Sequence, residues 1–247
     1  MRDGDHYVVN GTKLWTSHAQ NANWIMCLAR TSIEERKQAG ISFLLIDMDQ
    51  PGVTVSPIIT LGGVHAVNQV VIEDVRVPVE NCLGGEGRAW DITKFLLGAE
   101  RVVGAWIGSS SEMLRQLKAM VSREFAGRVP QDIKLRICRV EIELVALRLA
   151  AVRVLEDEMA GREAGPEVSV LKIKGSEVQQ RLTELLVEAC GPLAVADPLF
   201  CPADGSAMVP TDMAYQSQTY LDRRKLTIYG GAREIQHNII AGRLLRG

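Results

Sequence analysis

The chain has 247 residues, 47% of them hydrophobic and 23% charged, enough for one large domain or two modest ones and too apolar for disorder to be its main state. With 28 Lys and Arg against 30 Asp and Glu the net charge is −2, which creates no field to draw nucleic acid or an anionic membrane surface. Cys27, Cys82, Cys138, Cys190 and Cys201 include no Cys-x-x-Cys pair, so they suggest neither a disulfide framework nor a zinc site, and no run is long and apolar enough for a membrane span. The expectation is a cytoplasmic chain with no nucleic-acid partner, no membrane and no metal.

The first third reads as strands. Residues 5–9 (DHYVV) and 12–17 (TKLWTS) flank Asn10-Gly11, which predicts a two-residue hairpin. Further β-rich runs follow at 23–30, 40–48, 52–57 and 67–77, each bounded by Gly, Pro, Asn or Asp. Near Gly84-Gly85-Glu86-Gly87 the apolar period changes from two to between three and four. One helix is predicted over roughly 89–122. A second, roughly 132–160, carries the seam Ile133, Ile137, Val140, Leu144, Leu147 and Ala151, and a third, roughly 167–190, stops at Gly191-Pro192. Residues 191–211 form a Pro- and Gly-rich connection, and a last helical pair is interrupted by Gly230-Gly231, with its second member over 232–245. The fold class is α+β: a partial antiparallel β domain, residues 1–88, followed by a C-terminal antiparallel helical bundle, residues 89–247.

Three segments contain residues suited to chemistry. Glu100 falls on the stripe Leu96, Glu100, Val103, Ile107 of the first predicted helix. Burial there would raise its pKa and suit it to taking a proton from carbon; pairing with a basic neighbour across the bundle is the alternative. Gly98, Ala99, Gly104, Ala105 and Gly108 leave room beside it, for a ligand or for another helix. Tyr229-Gly230-Gly231 precedes the last helix, where exposed N–H groups suit an anion or an electron-rich ring edge, unless the glycines only make a turn. Upstream, the charge run Asp222-Arg223-Arg224-Lys225 suits an anionic ligand or a solvated face. Trp15, Thr16 and Ser17 place an aromatic beside two hydroxyls, an arrangement that can flank a flat heterocycle, although Trp in a strand is more often core. The four histidines have no metal-ligand spacing, and no dinucleotide, P-loop or nucleophile-elbow motif is present.

Taken in order, strand Trp-Thr-Ser, helical Glu-Arg and Ile-Tyr-Gly-Gly-x-x-Glu-Ile-Gln resemble the acyl-CoA dehydrogenase family. The resemblance runs through residues 7–30, 68–78, 95–101 and 226–241, nearly the whole chain. Within the family it is greatest to the pimeloyl-CoA dehydrogenase large-subunit branch, through 68–78, 94–101, 140–149 and 169–180. It implies FAD as cofactor and α,β-dehydrogenation of an acyl-CoA thioester, with electron-transfer flavoprotein as acceptor and a homo- or hetero-oligomer with a small homologous subunit. Many members carry the catalytic base directly after the Tyr of the C-terminal motif, where this chain has Gly230. The resemblance to the isovaleryl-type branch moves the base to Glu100, with Arg101 beside it. It also implies that Trp15, Thr16 and Ser17 flank the flavin, that Tyr229, Gly230 and Gly231 line the acyl and flavin pocket, and that Glu234 lies near the cofactor. Arg123-Glu124-Phe125-Ala126-Gly127 departs from the family's Arg-x-x-Phe-Gly segment. The chain opens inside the resembling β domain, so a fragment, a split gene and a remnant all suit it. The alternative function is a non-catalytic or truncated subunit that assembles with a competent homologue.

Overall fold

A computed structural model describes residues 2–99, 102–162, 165–195, 210 and 213–245. It is of mixed α+β class and divides into two compact units, Met1–Ala99 and Glu100–Gly247.

The first unit is built on seven antiparallel strands: β1 (Arg2–Asp3), β2 (His6–Ser17), β3 (Trp24–Arg30), β4 (Ile41–Asp47), β5 (Val53–Ile59), β6 (His65–Pro78) and β7 (Cys82–Leu83). Four form one sheet in the order β1-β2-β6-β5, and three form another in the order β3-β4-β7. Alternation sends Tyr7 and Val9 of β2, Cys27 of β3, Leu44 and Ile46 of β4, and Val70, Ile72, Val75 and Val77 of β6 into one shared core. A helix, α1 (Ala89–Ala99), ends the unit.

The hairpin predicted at Asn10-Gly11 does not form. Residues 6–17 are one strand whose two halves both pair with the 14-residue β6, Val9 opposite Val75 and Gly11 opposite Ile72. The Asn10 side chain is used across the sheet instead. Its Nδ2 donates to Asp74 Oδ1 at 2.9 Å, its Oδ1 accepts from the Asp74 N–H at 2.8 Å, and Asp74 takes φ +50° to meet it. Burial of the β6 valines outweighs the local turn preference, because each half of β2 gains a partner with an apolar inward face.

The second unit is helical: α2 (Ile107–Glu124), α3 (Gln131–Met159), α4 (Glu167–Cys190), α5 (Gln216–Asp222) and α6 (Arg233–Leu244), with 3-10 turns at Val103–Ala105, Gly191–Val195 and Arg223–Thr227. The helix predicted over 89–122 is therefore two helices. α1 is described as far as Ala99, the chain makes a 3-10 turn at Val103–Ala105, and α2 begins after Trp106, which holds φ +48°. α3 and α4 lie almost where their apolar periods place them. All six residues of the predicted α3 seam are buried, and α4 begins after Pro166 with Glu167 in its first turn, favourable to the helix dipole. α4 is the central helix, packed by α2, α3, α5, α6 and all three 3-10 turns, and so it buries Leu171, Val178, Leu182 and Leu186 together with polar Lys172, Ser176, Gln179 and Thr183. No described helix is long and apolar enough to cross a membrane.

Candidate functional site

In the strand unit the Trp-Thr-Ser segment sits on a bulge. Lys13 faces Val70 and Thr16 faces Asn68, so Leu14 and Trp15 together oppose the single residue Gln69. Trp15 takes φ +65°, and the kink turns its indole outward until it is 65% exposed. The core placement usual for a strand Trp does not apply here. Thr16 is half-buried and Ser17 exposed.

Fully buried Asn68 fixes this geometry. Its Nδ2 donates to the Thr16 carbonyl at 3.1 Å and to Gln20 Oε1 at 2.6 Å, while its Oδ1 accepts from His65 Nε2 at 2.7 Å. Every polar atom of the side chain is thereby satisfied, which makes it a rigid support for the bulge. Trp15 offers an aromatic face and its neighbours offer hydroxyls, a donor set that fits a flat heterocycle such as the flavin of FAD.

In the helical unit Tyr229, Gly230 and Gly231 are exposed in the turn before α6, and the two glycines hold φ +64° and +93°. At Gly231 a Cβ would meet only the movable end of the Gln236 side chain, so it is the φ of +93° that favours glycine there. Glu234 is exposed in the first turn of α6. The Tyr229 ring meets Trp106 edge-on, with centroids 6.3 Å apart and planes at 81°. Burial and Asp222 push the Tyr229 hydroxyl above its ordinary pKa, against the pull of Arg223.

Glu100 and Arg101 lie outside the described residues, as does most of the 191–211 connection. Of the stripe on which Glu100 was expected, Leu96 and Val103 are 42% and 71% exposed. The small residues after it make room for a helix. Buried Ala105 rests its backbone on Gly175 of α4, and Gly104 faces the stem of Lys172.

The charge run at 222–225 is not a solvated face. Arg224 stacks on the Tyr220 ring at 4.2 Å and donates through Nη2 to the Gln180 carbonyl and Thr183 Oγ1, both at 3.0 Å, while Lys225 pairs with Asp222 at 2.5 Å.

Lys172 was not predicted at all. It is 8% exposed, its Nζ donates to the Leu226 carbonyl at 2.8 Å, and the same Nζ lies 4.2 Å from the Trp106 ring centroid and 5.2 Å from that of Tyr229. Burial lowers its pKa to about 8. The available signal was a lysine between Leu171 and Ile173, in the second turn of a helix that is apolar on several faces.

Glu177, also missed, gathers Lys174 at 2.9 Å, Arg233 at 2.8 Å and Arg181 at 3.6 Å, tying the start of α6 to α4. One cavity of about 250 Å³ lies among Tyr7–Lys13 and Cys27–Thr31, and another of about 390 Å³ among Arg136, Arg139, Arg181, Glu143 and Glu184. None of the predicted site residues that are described lines either one.

The comparisons with known proteins agree with this architecture. The family model for the acyl-CoA dehydrogenase C-terminal domain matches residues 85–245, and that for the middle domain matches residues 1–75. The chain is 33% identical over 245 residues to acyl-CoA dehydrogenase IpdE1 of Mycobacterium tuberculosis, a match spanning 98% of this chain and 60% of that protein. It is 31% identical over 248 residues to acyl-CoA dehydrogenase FadE34 of the same organism, spanning 99% of this chain and 32% of that one. Among solved structures, the Tcur3481-Tcur3483 steroid ACAD superposes with a TM-score of 0.85 at 25% identity, covering 100% of this chain and 62% of that one. The ChsE4-ChsE5 complex from Mycobacterium tuberculosis gives 0.82 at 27%, covering 100% and 63%. The chain thus spans at most about three fifths of the length of these two curated relatives. Two domain models in family order, a shared fold and a relative matched along nearly the whole chain place this protein in the acyl-CoA dehydrogenase family.

Proposed function

We propose that the chain forms part of an FAD-dependent acyl-CoA dehydrogenase that converts an acyl-CoA thioester to the 2-enoyl-CoA. The observation that carries this reading is the exposed Tyr229-Gly230-Gly231 turn held against Trp106, six residues after Glu100, in a chain related to the family over nearly all its length.

The reaction removes a proton from the α-carbon and a hydride from the β-carbon, leaving a double bond. Gly230 has no side chain and cannot be the base, so the Glu100 carboxylate takes the α-proton, with the Arg101 charge beside it in sequence. FAD, when bound, supplies the acceptor for the β-hydride. Trp15, Thr16 and Ser17 would flank the flavin ring, the Ser17 hydroxyl hydrogen-bonding to it. Tyr229, Gly230 and Gly231 would line the pocket for the acyl chain and the ring, with Glu234 at its cofactor side. Pimeloyl-CoA, a dicarboxylyl thioester, is the substrate we favour, and electron-transfer flavoprotein the electron acceptor.

A second reading, a non-catalytic subunit that assembles with a competent homologue, draws on the solved relatives: the ChsE4-ChsE5 structure is a complex of two differently named chains, and the present chain spans 63% of the one it matches. Both readings are tested with the full chain, purified alone and co-expressed with a small-subunit homologue, supplied with FAD and mixed anaerobically with pimeloyl-CoA. The dehydrogenase reading expects a flavin spectrum that bleaches, and a Glu100→Gln variant that keeps the flavin but bleaches about a thousandfold more slowly. Flavin without bleaching favours the assembly subunit, and unchanged bleaching in the variant removes Glu100 as base.

A further inference from the structure

A buried ammonium ordinarily finds a carboxylate, and among the described residues Lys172 has none. Its hydrogen bond goes to a backbone carbonyl, that of fully buried Leu226, and its charge is otherwise met by the faces of Trp106 and Tyr229. The side chain also lies at van der Waals distance from both turns. A Cβ on Gly104 would lie 3.5 Å from Lys172 Cδ, and one on Gly230 would lie 3.7 Å from Nζ. Three stretches distant in sequence therefore meet on one side chain: the turn before α2, the second turn of α4 and the turn before α6.

We propose that Lys172 is a positioning residue whose ammonium holds the Leu226–Gly230 turn against the Val103–Trp106 turn and so sets one wall of the acyl-thioester pocket. That last step rests on reading Tyr229, Gly230 and Gly231 as pocket residues. The holding role rests on the contacts alone.

Charge and donor capacity, not volume, are what the site uses. A methionine of similar length would fill the space but leave the Leu226 carbonyl without this donor and give the two rings no cation. Arginine keeps both.

The test compares Lys172→Met and Lys172→Arg in the full chain, in a background where Trp15, Trp24 and Trp90 are Phe so that Trp106 alone emits. Hydrogen exchange at residues 226–231 needs no ligand, so it reports on the holding role even if the dehydrogenase reading fails. Lys172→Met is expected to exchange there about tenfold faster, with shifted Trp106 emission and unchanged exchange in α3. Lys172→Arg is expected to retain most of the protection. Equal protection in Lys172→Met and the parent overturns the proposal. So does the reverse ranking, Met tolerated and Arg not, because that is the order space-filling alone produces. Should Lys172→Met fail to fold, Trp106→Leu removes the nearer ring and leaves the ammonium in place: faster exchange at 226–231 supports the proposal, and unchanged exchange overturns it.

Discussion

The backbone of Ala105 lies so close to Gly175 that a Cβ on the glycine would stand 2.6 Å from the Ala105 carbonyl oxygen. The turn before α2 is seated directly on α4 through this contact, and backbone, unlike a long side chain, has little room to give. Gly175→Ala should therefore destabilise the helical unit by about 1–3 kcal/mol, even though Ala is the better helix former. Gly108→Ala, in the same region but facing open space, should cost nothing. Urea unfolding of the two variants decides the matter, and equal midpoints would show that the turn does not need the close approach.

Asn68 makes a similar prediction for the strand unit. It is fully buried and serves Thr16, Gln20 and His65 at once, so Asn68→Ala leaves the Thr16 carbonyl and the Gln20 side chain without a donor. A loss of about 1–3 kcal/mol follows. Trp15, on the bulge that Asn68 supports, should change its emission in a single-Trp background, whereas Asn10→Ala, at the other irregularity of β2, should leave Trp15 unaffected.

Glu177 gives a pH dependence with a definite sign. Burial alone would raise its carboxyl pKa, yet Lys174, Arg233 and Arg181 together hold it below the ordinary value. The folded state then binds the proton less readily than the unfolded state. The stabilisation is fully present above the unfolded carboxyl pKa and is lost as pH falls through the lower folded one. Glu177→Gln should cost about 1 kcal/mol near pH 7, where Arg233 loses its charged partner, and the gap to the parent should narrow on acidification. A gap that stays constant with pH in urea titrations contradicts the assignment.

What the sequence revealed and what it concealed divide along physical lines. α3 and α4 were legible because long apolar seams such as Ile133, Ile137, Val140 and Leu144 repeat at helical spacing and are bounded by Pro130 and Pro166. The Asn10-Gly11 hairpin was misread because a local turn preference cannot reveal that β6 is long enough to pair with both halves of β2. The helix break at Trp106 was hidden for a related reason: the 3-10 turn Val103–Ala105 before it is seated on Gly175, which lies 70 positions beyond Ala105. Trp15 and the Tyr229 turn were visible as motifs. Lys172 was not, because its worth lies in three tertiary contacts, and a lysine inside an apolar run carries no mark of them.

The position of α4 has a consequence for how the helical unit is made. Some of its neighbours, the Val103–Ala105 turn, α2 and α3, precede it in the chain; the others, the Gly191–Val195 and Arg223–Thr227 turns, α5 and α6, follow it. On a ribosome that has just released residue 190, this helix has no cover on the second side, and the site that will receive buried Leu226 is bare. The unit closes only when the last segment arrives, so a stalled or clipped chain lacking it would present the interior of its own bundle to chaperones and proteases.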